Sequence, residues 1–374
     1  MANKFWSLTL LKDNNNKQYP SVVSDIQQSL ITFYQGYDFY NLFGAEAVNY
    51  VCGLTTRYSY HTSWWFKESK ESKEFKPLSP VILKSLHGYS LWLSIVWLID
   101  GLCDKYRALV TLGDIQVLTD IMLGKTHSSF RVLSLMCDVM RDELRALSNV
   151  IVPSNDTTYN GSRVLLLLFD IVQQTYKRYL ELMPYNDNKQ QLDTWTIKYL
   201  DKLLDDTRQN FTLKQYAEWR LNSSAMMCVV WHELLMSPEY RKEDIDDNAL
   251  KAFELVSLIV SYHNDLVSLH RDIDQGTPNL VTTINKGDYW QAIIAAVSLI
   301  SGMYDELLTL LTDIKYDYIV TICMSIVDGS IIWTAAEKRY SKGLSMLELV
   351  AGDQREEFMK QLYEKTEVAG DPKL

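Results

Sequence analysis

Apolar residues recur at the 3.6-residue period of a buried helix stripe over long windows of this chain, for example Val164 to Leu180 and Ala292 to Thr312. A β-rich fold of 374 residues would need many tight turns, and the chain has only 8 Pro and 15 Gly. The fold class is therefore all-α. Apolar residues make up 47% of the sequence, and no linker-like stretch separates large apolar blocks, so we read one large core. Residues 1–30 read as an amino-terminal lead-in segment, and 31–374 as the main domain. The run Lys67 to Lys76, ending at Pro77 and Pro80, is a solvated connector. Loops are expected over 150–161 and 183–188, an exposed acidic connector over 236–247, and a helix from near Ser79 into Asp104.

Composition narrows the partners. Net charge is -10 and Lys and Arg are dispersed, which excludes a surface that tracks a nucleic-acid backbone. The cysteines at 52, 103, 137, 228 and 323 are scattered in apolar surroundings, the pattern of reduced core thiols in an intracellular protein. The apolar run Phe5 to Leu11 is too brief for a signal peptide, and the longest apolar stretches are too short to span a bilayer. The expectation is a cytoplasmic protein without stable membrane insertion, compatible with a homodimer.

Residues Asn264-Asp265-Leu266-Val267-Ser268-Leu269-His270-Arg271-Asp272 follow an apolar segment, Leu255 to Val260. On a helix, Asn264, Ser268 and Asp272 fall at i, i+4 and i+8 and project from one face. Amide, hydroxyl and carboxylate oxygens in a row suit a hard cation such as Mg²⁺, which takes its remaining ligands from water and substrate phosphate.

This ladder resembles the NSE motif of class I terpene synthases, in which Asn, Ser and Glu hold a magnesium ion against a prenyl diphosphate. Other segments resemble the same family in order and spacing. Asp100-Gly101-Leu102-Cys103-Asp104 looks like its aspartate-rich motif, with Gly101 in place of the second Asp. Tyr216 to Ser224 resembles the diphosphate-sensor segment, and Trp333 to Tyr340 the carboxy-terminal Arg-Tyr pair with its preceding Trp. Arg271 occupies a place where the family often has a diphosphate-binding Lys. Asp272 is one methylene shorter than the family's Glu.

The resemblance implies the microbial-type, single-domain form of that family: a helical bundle around a central cavity, with 31–374 as the catalytic domain. It implies a terpene cyclase that ionises a linear prenyl diphosphate with three Mg²⁺ ions, geranylgeranyl diphosphate being favoured over farnesyl diphosphate. Asp100, Asp104, Asn264, Ser268 and Asp272 would hold metal. Arg220, Arg271, Arg339 and Tyr340 would grip the diphosphate. Trp97 and Trp333 would stabilise the carbocation. Ser223 and Ser224 fall where the family breaks a helix, and paired serines bonding back to nearby carbonyls make a break physically reasonable. A chain-elongating prenyl transferase and a non-catalytic helical binding protein are the alternatives. The Asn-Ser-Asp ladder in place of a second aspartate-rich motif argues against the first. The joint presence of Arg220, the ladder and Arg339-Tyr340 argues against the second.

Overall fold

The apolar run that leads into the ladder lies in a 29-residue helix, the longest among the described residues. The structure, a computed structural model, describes residues 21–36, 45–63, 80–105, 177–179, 181–182, 189–203, 211–237, 239–285 and 287–363. These contain twelve α-helices and no strand. In chain order they are α1 (Ser21–Gln35), α2 (Ala45–Thr62), α3 (Pro80–Lys105), α4 (Lys189–Leu203), α5 (Leu213–Ser223), α6 (Met226–Met236), α7 (Asp247–Gln275), α8 (Leu280–Ile284), α9 (Tyr289–Leu311), α10 (Asp317–Ala336), α11 (Ser341–Ala351) and α12 (Arg355–Tyr363). Expectations for 67–77, 150–161, 183–188 and most of the window from Val164 to Leu180 lie outside the described residues.

Helix α7 is the hub of the bundle, packed against α5, α6, α8, α9, α10 and α11. Its apolar positions are spread around the helix, so it is enclosed by neighbours along most of its length. Helix α2 packs on α1, α3 and α10, which joins the amino-terminal helices to the same core. Two glycines permit close backbone approaches. A Cβ at Gly329 would collide with the main chain of His61, and one at Gly343 with the main chain of Val267, so α10 can seat on α2 and α11 on α7.

Three expectations change. The boundary at residue 30 falls inside α1, whose Val23, Ile26, Leu30 and Tyr34 are buried in the common core. Helices α9 and α10 are long and apolar enough to cross a membrane by length and composition, contrary to the reading that no stretch reached that size. Ser, Thr, Gly and Tyr interrupt the apolar runs of these helices without making them polar overall; both pack directly on α7. The 236–247 connector is not wholly exposed, because Asp244 is buried and accepts a hydrogen bond from Tyr318 Oη at 3.1 Å. Cys52, Cys228 and Cys323 are buried free thiols, each pushed up to about 12 by burial.

Candidate active site on the central helix

Helix α7 is fixed at both ends by its own sequence. Asp246 caps its start, accepting from Ala249 N at 2.9 Å. Its end is set by Gly276, whose φ of 66° is left-handed and open to glycine without strain. That turn folds the chain back so that Thr277 N reaches the carbonyl of Asp272 at 2.8 Å. Within the last three turns, Asn264, Ser268 and Asp272 line one face as the spacing predicts. Ser268 Oγ donates to Asp272 Oδ2 at 2.5 Å, and Asn264 Nδ2 donates to Tyr340 Oη at 3.1 Å. The amide oxygen of Asn264 therefore points away from Tyr340. Arg271 Nε lies 3.7 Å from Asp272 Oδ1.

The residue beside Asn264 was not singled out from the sequence. Asp265 is 1% exposed, and its carboxylate meets Arg220 Nη2 at 2.8 Å, Tyr216 Oη at 2.6 Å and Leu280 N at 3.3 Å. Burial pushes its pKa up to about 6, while Arg220 and Tyr216 pull it the other way. Burial also raises Tyr216 well above the ordinary phenol range, and Asp265 adds to that shift. Tyr216 and Arg220 are four residues apart on α5, hence on one face, and both address the same carboxylate. A capping box between Thr212 and Gln215 starts that helix.

Helix α5 ends at Ser223, and α6 begins at Met226. Ser224 Oγ accepts from Met226 N at 3.4 Å, and Ala225 adopts φ 58°, ψ 0°. The break expected at the serine pair occurs, but neither hydroxyl bonds back to a carbonyl among the described residues, and the residue forced into the left-handed region is the alanine after the pair. A non-glycine residue there costs roughly 1–2 kcal/mol. Ser223 is buried, and its hydroxyl has no hydrogen-bond partner among the described residues.

The aromatic candidates come together. Trp97 of α3 and Trp333 of α10 have ring centroids 5.6 Å apart, and Tyr340 lies edge-on to Trp333 at 5.5 Å. Tyr58 of α2, missed from sequence, meets Trp333 edge-on at 5.0 Å and Trp97 at 6.2 Å. Its hydroxyl bonds to Ser330 Oγ at 3.1 Å. Arg339 lies over the Tyr340 ring, with its guanidinium carbon 5.1 Å from the centroid. Glu337, two residues before it, is held by Arg57 in a two-pronged ion pair at 2.5 and 2.9 Å. Asp100 and Asp104 fall in the last turns of α3, and their side chains lie outside the described residues.

Between residues 264 and 272, α7 thus carries one of the four expected diphosphate contacts, Arg271, and touches two others, Tyr340 through Asn264 and Arg220 through Asp265. Among the described residues, no group of three or more His, Cys, Asp or Glu is placed to hold a metal ion. The ladder differs from such groups by offering one carboxylate, one amide and one hydroxyl. Those are hard oxygen donors, suited to an ion that keeps part of its water shell, so the residues present fit Mg²⁺. Asn279, also missed from sequence, is fully buried and bonds to Asp272 Oδ2 at 2.8 Å.

Residues 92–308, more than half of the chain, match the profile of terpene synthase family 2, C-terminal metal binding. Among solved structures, 2-methylisoborneol synthase from Streptomyces coelicolor A3(2) superposes with a TM-score of 0.57 at 12% identity, over 86% of this chain and 91% of that one. The same enzyme in complex with Mg²⁺ and geranyl-S-thiolodiphosphate superposes equally well, with a TM-score of 0.57 at 12% identity over 86% of this chain and 94% of that one. No curated protein sequence matches significantly. The all-α bundle is thus that of the class I terpene synthase fold, and the chain belongs to terpene synthase family 2 as a terpene synthase enzyme.

Proposed function

We propose that the chain is a class I terpene cyclase that ionises a linear prenyl diphosphate, cyclises the resulting carbocation and releases diphosphate, with a catalytic domain that takes in helix α1. The observation that carries this reading is the contact of α7 with two expected diphosphate residues from other parts of the chain: Asn264 with Tyr340 and Asp265 with Arg220. Asn264, Ser268 and Asp272 would hold Mg²⁺ on this side, and Asp100 and Asp104 the other ions of a set of three. When bound, the metal neutralises charge that builds on the departing diphosphate.

The chain's own residues do the rest. Arg220, Arg271 and Arg339 bind diphosphate oxygens as permanent cations, and Tyr340 donates its hydroxyl. Groups held in place before substrate arrives lower the reorganisation that opposes charge separation. Asp265 holds Arg220 by the guanidinium, and Glu337 with Arg57 braces the segment that carries Arg339. Ser223 and Ser224 sit at the helix break, where a shift of Arg220 would be felt by α6. Once the carbon–oxygen bond breaks, Trp97 and Trp333 offer π-faces to the cation, and the surrounding apolar walls keep water from quenching it.

The solved neighbour carries a ten-carbon diphosphate analogue with Mg²⁺. The expectation of a twenty-carbon substrate rests on no residue of the site, and we infer substrate class but not length. Cytoplasmic location is inferred from the reduced, buried thiols. The test is incubation with prenyl diphosphates of ten, fifteen, twenty and twenty-five carbons, with and without Mg²⁺, following diphosphate release and products. Magnesium-dependent release with cyclic hydrocarbons or alcohols is the expected result. Turnover only when isopentenyl diphosphate is added, with longer linear products, would make the chain a prenyl transferase instead.

A further inference from the structure

The ladder contains one departure that its own helix does not compensate, the short Asp272. An Asp carboxylate reaches less far than a Glu, so to serve an ion it must be held in one rotation with one oxygen presented. Ser268 supplies one restraint from α7 by donating to Oδ2 at 2.5 Å. The second comes from outside the helix. After the turn at Gly276, Asn279 returns to α7 fully buried, and its amide nitrogen donates to Asp272 Oδ2 at 2.8 Å and to the main-chain carbonyl of Asp265 at 2.7 Å. Its amide oxygen accepts from Val281 N at 2.9 Å and caps α8. The amide can face only one way, because its nitrogen side meets two acceptors and its oxygen side a donor.

We propose that Asn279 is a positioning residue for the metal ladder, fixing the carboxylate of Asp272 so that its Oδ1 is the oxygen presented to a divalent cation. The two bonds from Asn279 span Asp265 to Asp272, almost the whole interval that spaces Asn264, Ser268 and Asp272. They therefore brace the spacing of the ladder as well as the rotation of its last member. With Oδ2 accepting from both Ser268 and Asn279, Oδ1 faces the opposite way, 3.7 Å from Arg271 Nε. A neutral amide donor does this without cancelling the charge that attracts the ion, as partners of metal-binding carboxylates generally do. The inference rests on the reading of Asn264, Ser268 and Asp272 as metal ligands.

Asn279→Ser tests it, because serine can still cap α8 but cannot reach Asp272 with a donor. Mn²⁺ binding to the full chain in the presence of inorganic diphosphate is measured from the paramagnetic resonance signal of the free ion. Asn279→Ser should weaken binding about tenfold or more, the usual cost of losing a partner of a metal-binding side chain. In an Asp272→Glu background, where the longer side chain has its own reach, the same substitution should cost less than about threefold. An equal loss in both backgrounds, or a loss below about twofold in the native background, overturns the inference. Asn279→Thr, also a capping residue, replaces Asn279→Ser if that variant fails to fold in chelator. If Ser268→Ala leaves Mn²⁺ binding unchanged, the ladder itself is misread; if Ser268→Ala abolishes binding while Asn279→Ser does not, only the role of Asn279 fails.

Discussion

The polar and aromatic sides of this site are held together by different forces. On the polar side, Asp265 and Asp272 are each fixed by directional bonds from two or more residues, arriving from α5, α7 and the turn before α8. On the aromatic side, Tyr58, Trp97, Trp333 and Tyr340 pack ring against ring; the two phenols also bond outward, to Ser330 and from Asn264, while the indole N–H of Trp333 has no hydrogen-bond partner among the described residues. Directional networks tolerate deletion poorly, because each removed group leaves a buried partner unsatisfied. Ring packing is softer, and its loss changes shape more than charge. The polar side should therefore decide whether diphosphate leaves, and the aromatic side what becomes of the cation.

The sharpest break in that contrast is a ladder deletion. Asn264→Ala or Ser268→Ala should lower the rate of diphosphate release about 10²–10³-fold, the size of effect seen when one electrostatic contact to a developing anion is lost. Circular dichroism should show the fold intact, since little core volume is removed. Release at the wild-type rate with unchanged magnesium dependence would remove the ladder from the mechanism.

Asp265 should behave differently, because it holds the protein as well as the site. Asp265→Ala leaves the Arg220 guanidinium and the Tyr216 hydroxyl without their shared acceptor, and breaking a buried ion pair from one side costs about 3 kcal/mol. Urea unfolding would measure it. A variant as stable as wild type would mean that Arg220 is satisfied by other partners.

His232 carries the contrast into the core, as a polar ring in aromatic surroundings. It is fully buried among Tyr89, Trp92 and Tyr179, stacked on Tyr89 at 4.5 Å, with no hydrogen-bond partner for either nitrogen among the described residues. Burial pulls its pKa down to about 3. Above the unfolded value near 6.5 both states are neutral and stability does not depend on this proton. As pH falls below that value, the unfolded chain takes up a proton that the folded chain refuses, and stability drops toward the folded pKa. Between pH 6.5 and 5 the loss from this residue is about 2 kcal/mol. His263 and His270, each lowered to about 4 by burial first, add to the same window. His232→Phe keeps the stack and should flatten the pH dependence by about that amount, measured as the difference in unfolding free energy at pH 7 and 5. An unchanged slope would place the acid sensitivity elsewhere.

What could be read from the sequence follows the same division. The ladder was legible because helical spacing puts i, i+4 and i+8 on one face whatever surrounds them. The break was legible in the two consecutive serines, although the strained residue, Ala225, carries no such signal. Asp265 was hidden because its partners Tyr216 and Arg220 lie on another helix, and only packing brings α5 against α7. Asn279 had a faint signal, a polar residue three places past the Gly that ends the helix, but its reach depends on how that turn folds back. Helix α1 was passed over within the lead-in segment, although Val23, Ile26, Leu30 and Tyr34 already spell one buried stripe at helical spacing.

The gentlest probe is at the aromatic wall. Trp97 and Trp333 touch each other and share Tyr58 as a neighbour, so each shapes the surface the other presents. If their faces meet the cation, each contributes about 0.5–2 kcal/mol to particular intermediates, which shifts a branching ratio by at most roughly thirtyfold. Trp97→Leu and Trp333→Leu should then raise the share of acyclic or early-quenched products while diphosphate release continues. The two variants should differ, because Trp333 is 4% exposed and also contacts Tyr340 beside Asn264, whereas Trp97 is only partly buried. Loss of Trp333 should therefore slow release modestly as well as alter products, and loss of Trp97 should alter products alone. Identical wild-type product ratios in both variants, with only the unfolding midpoint lowered, would show that these rings are core and that other residues line the cavity. If Trp97→Leu slowed release as much as Ser268→Ala, the division between a charge-handling side and a cation-shaping side would not hold.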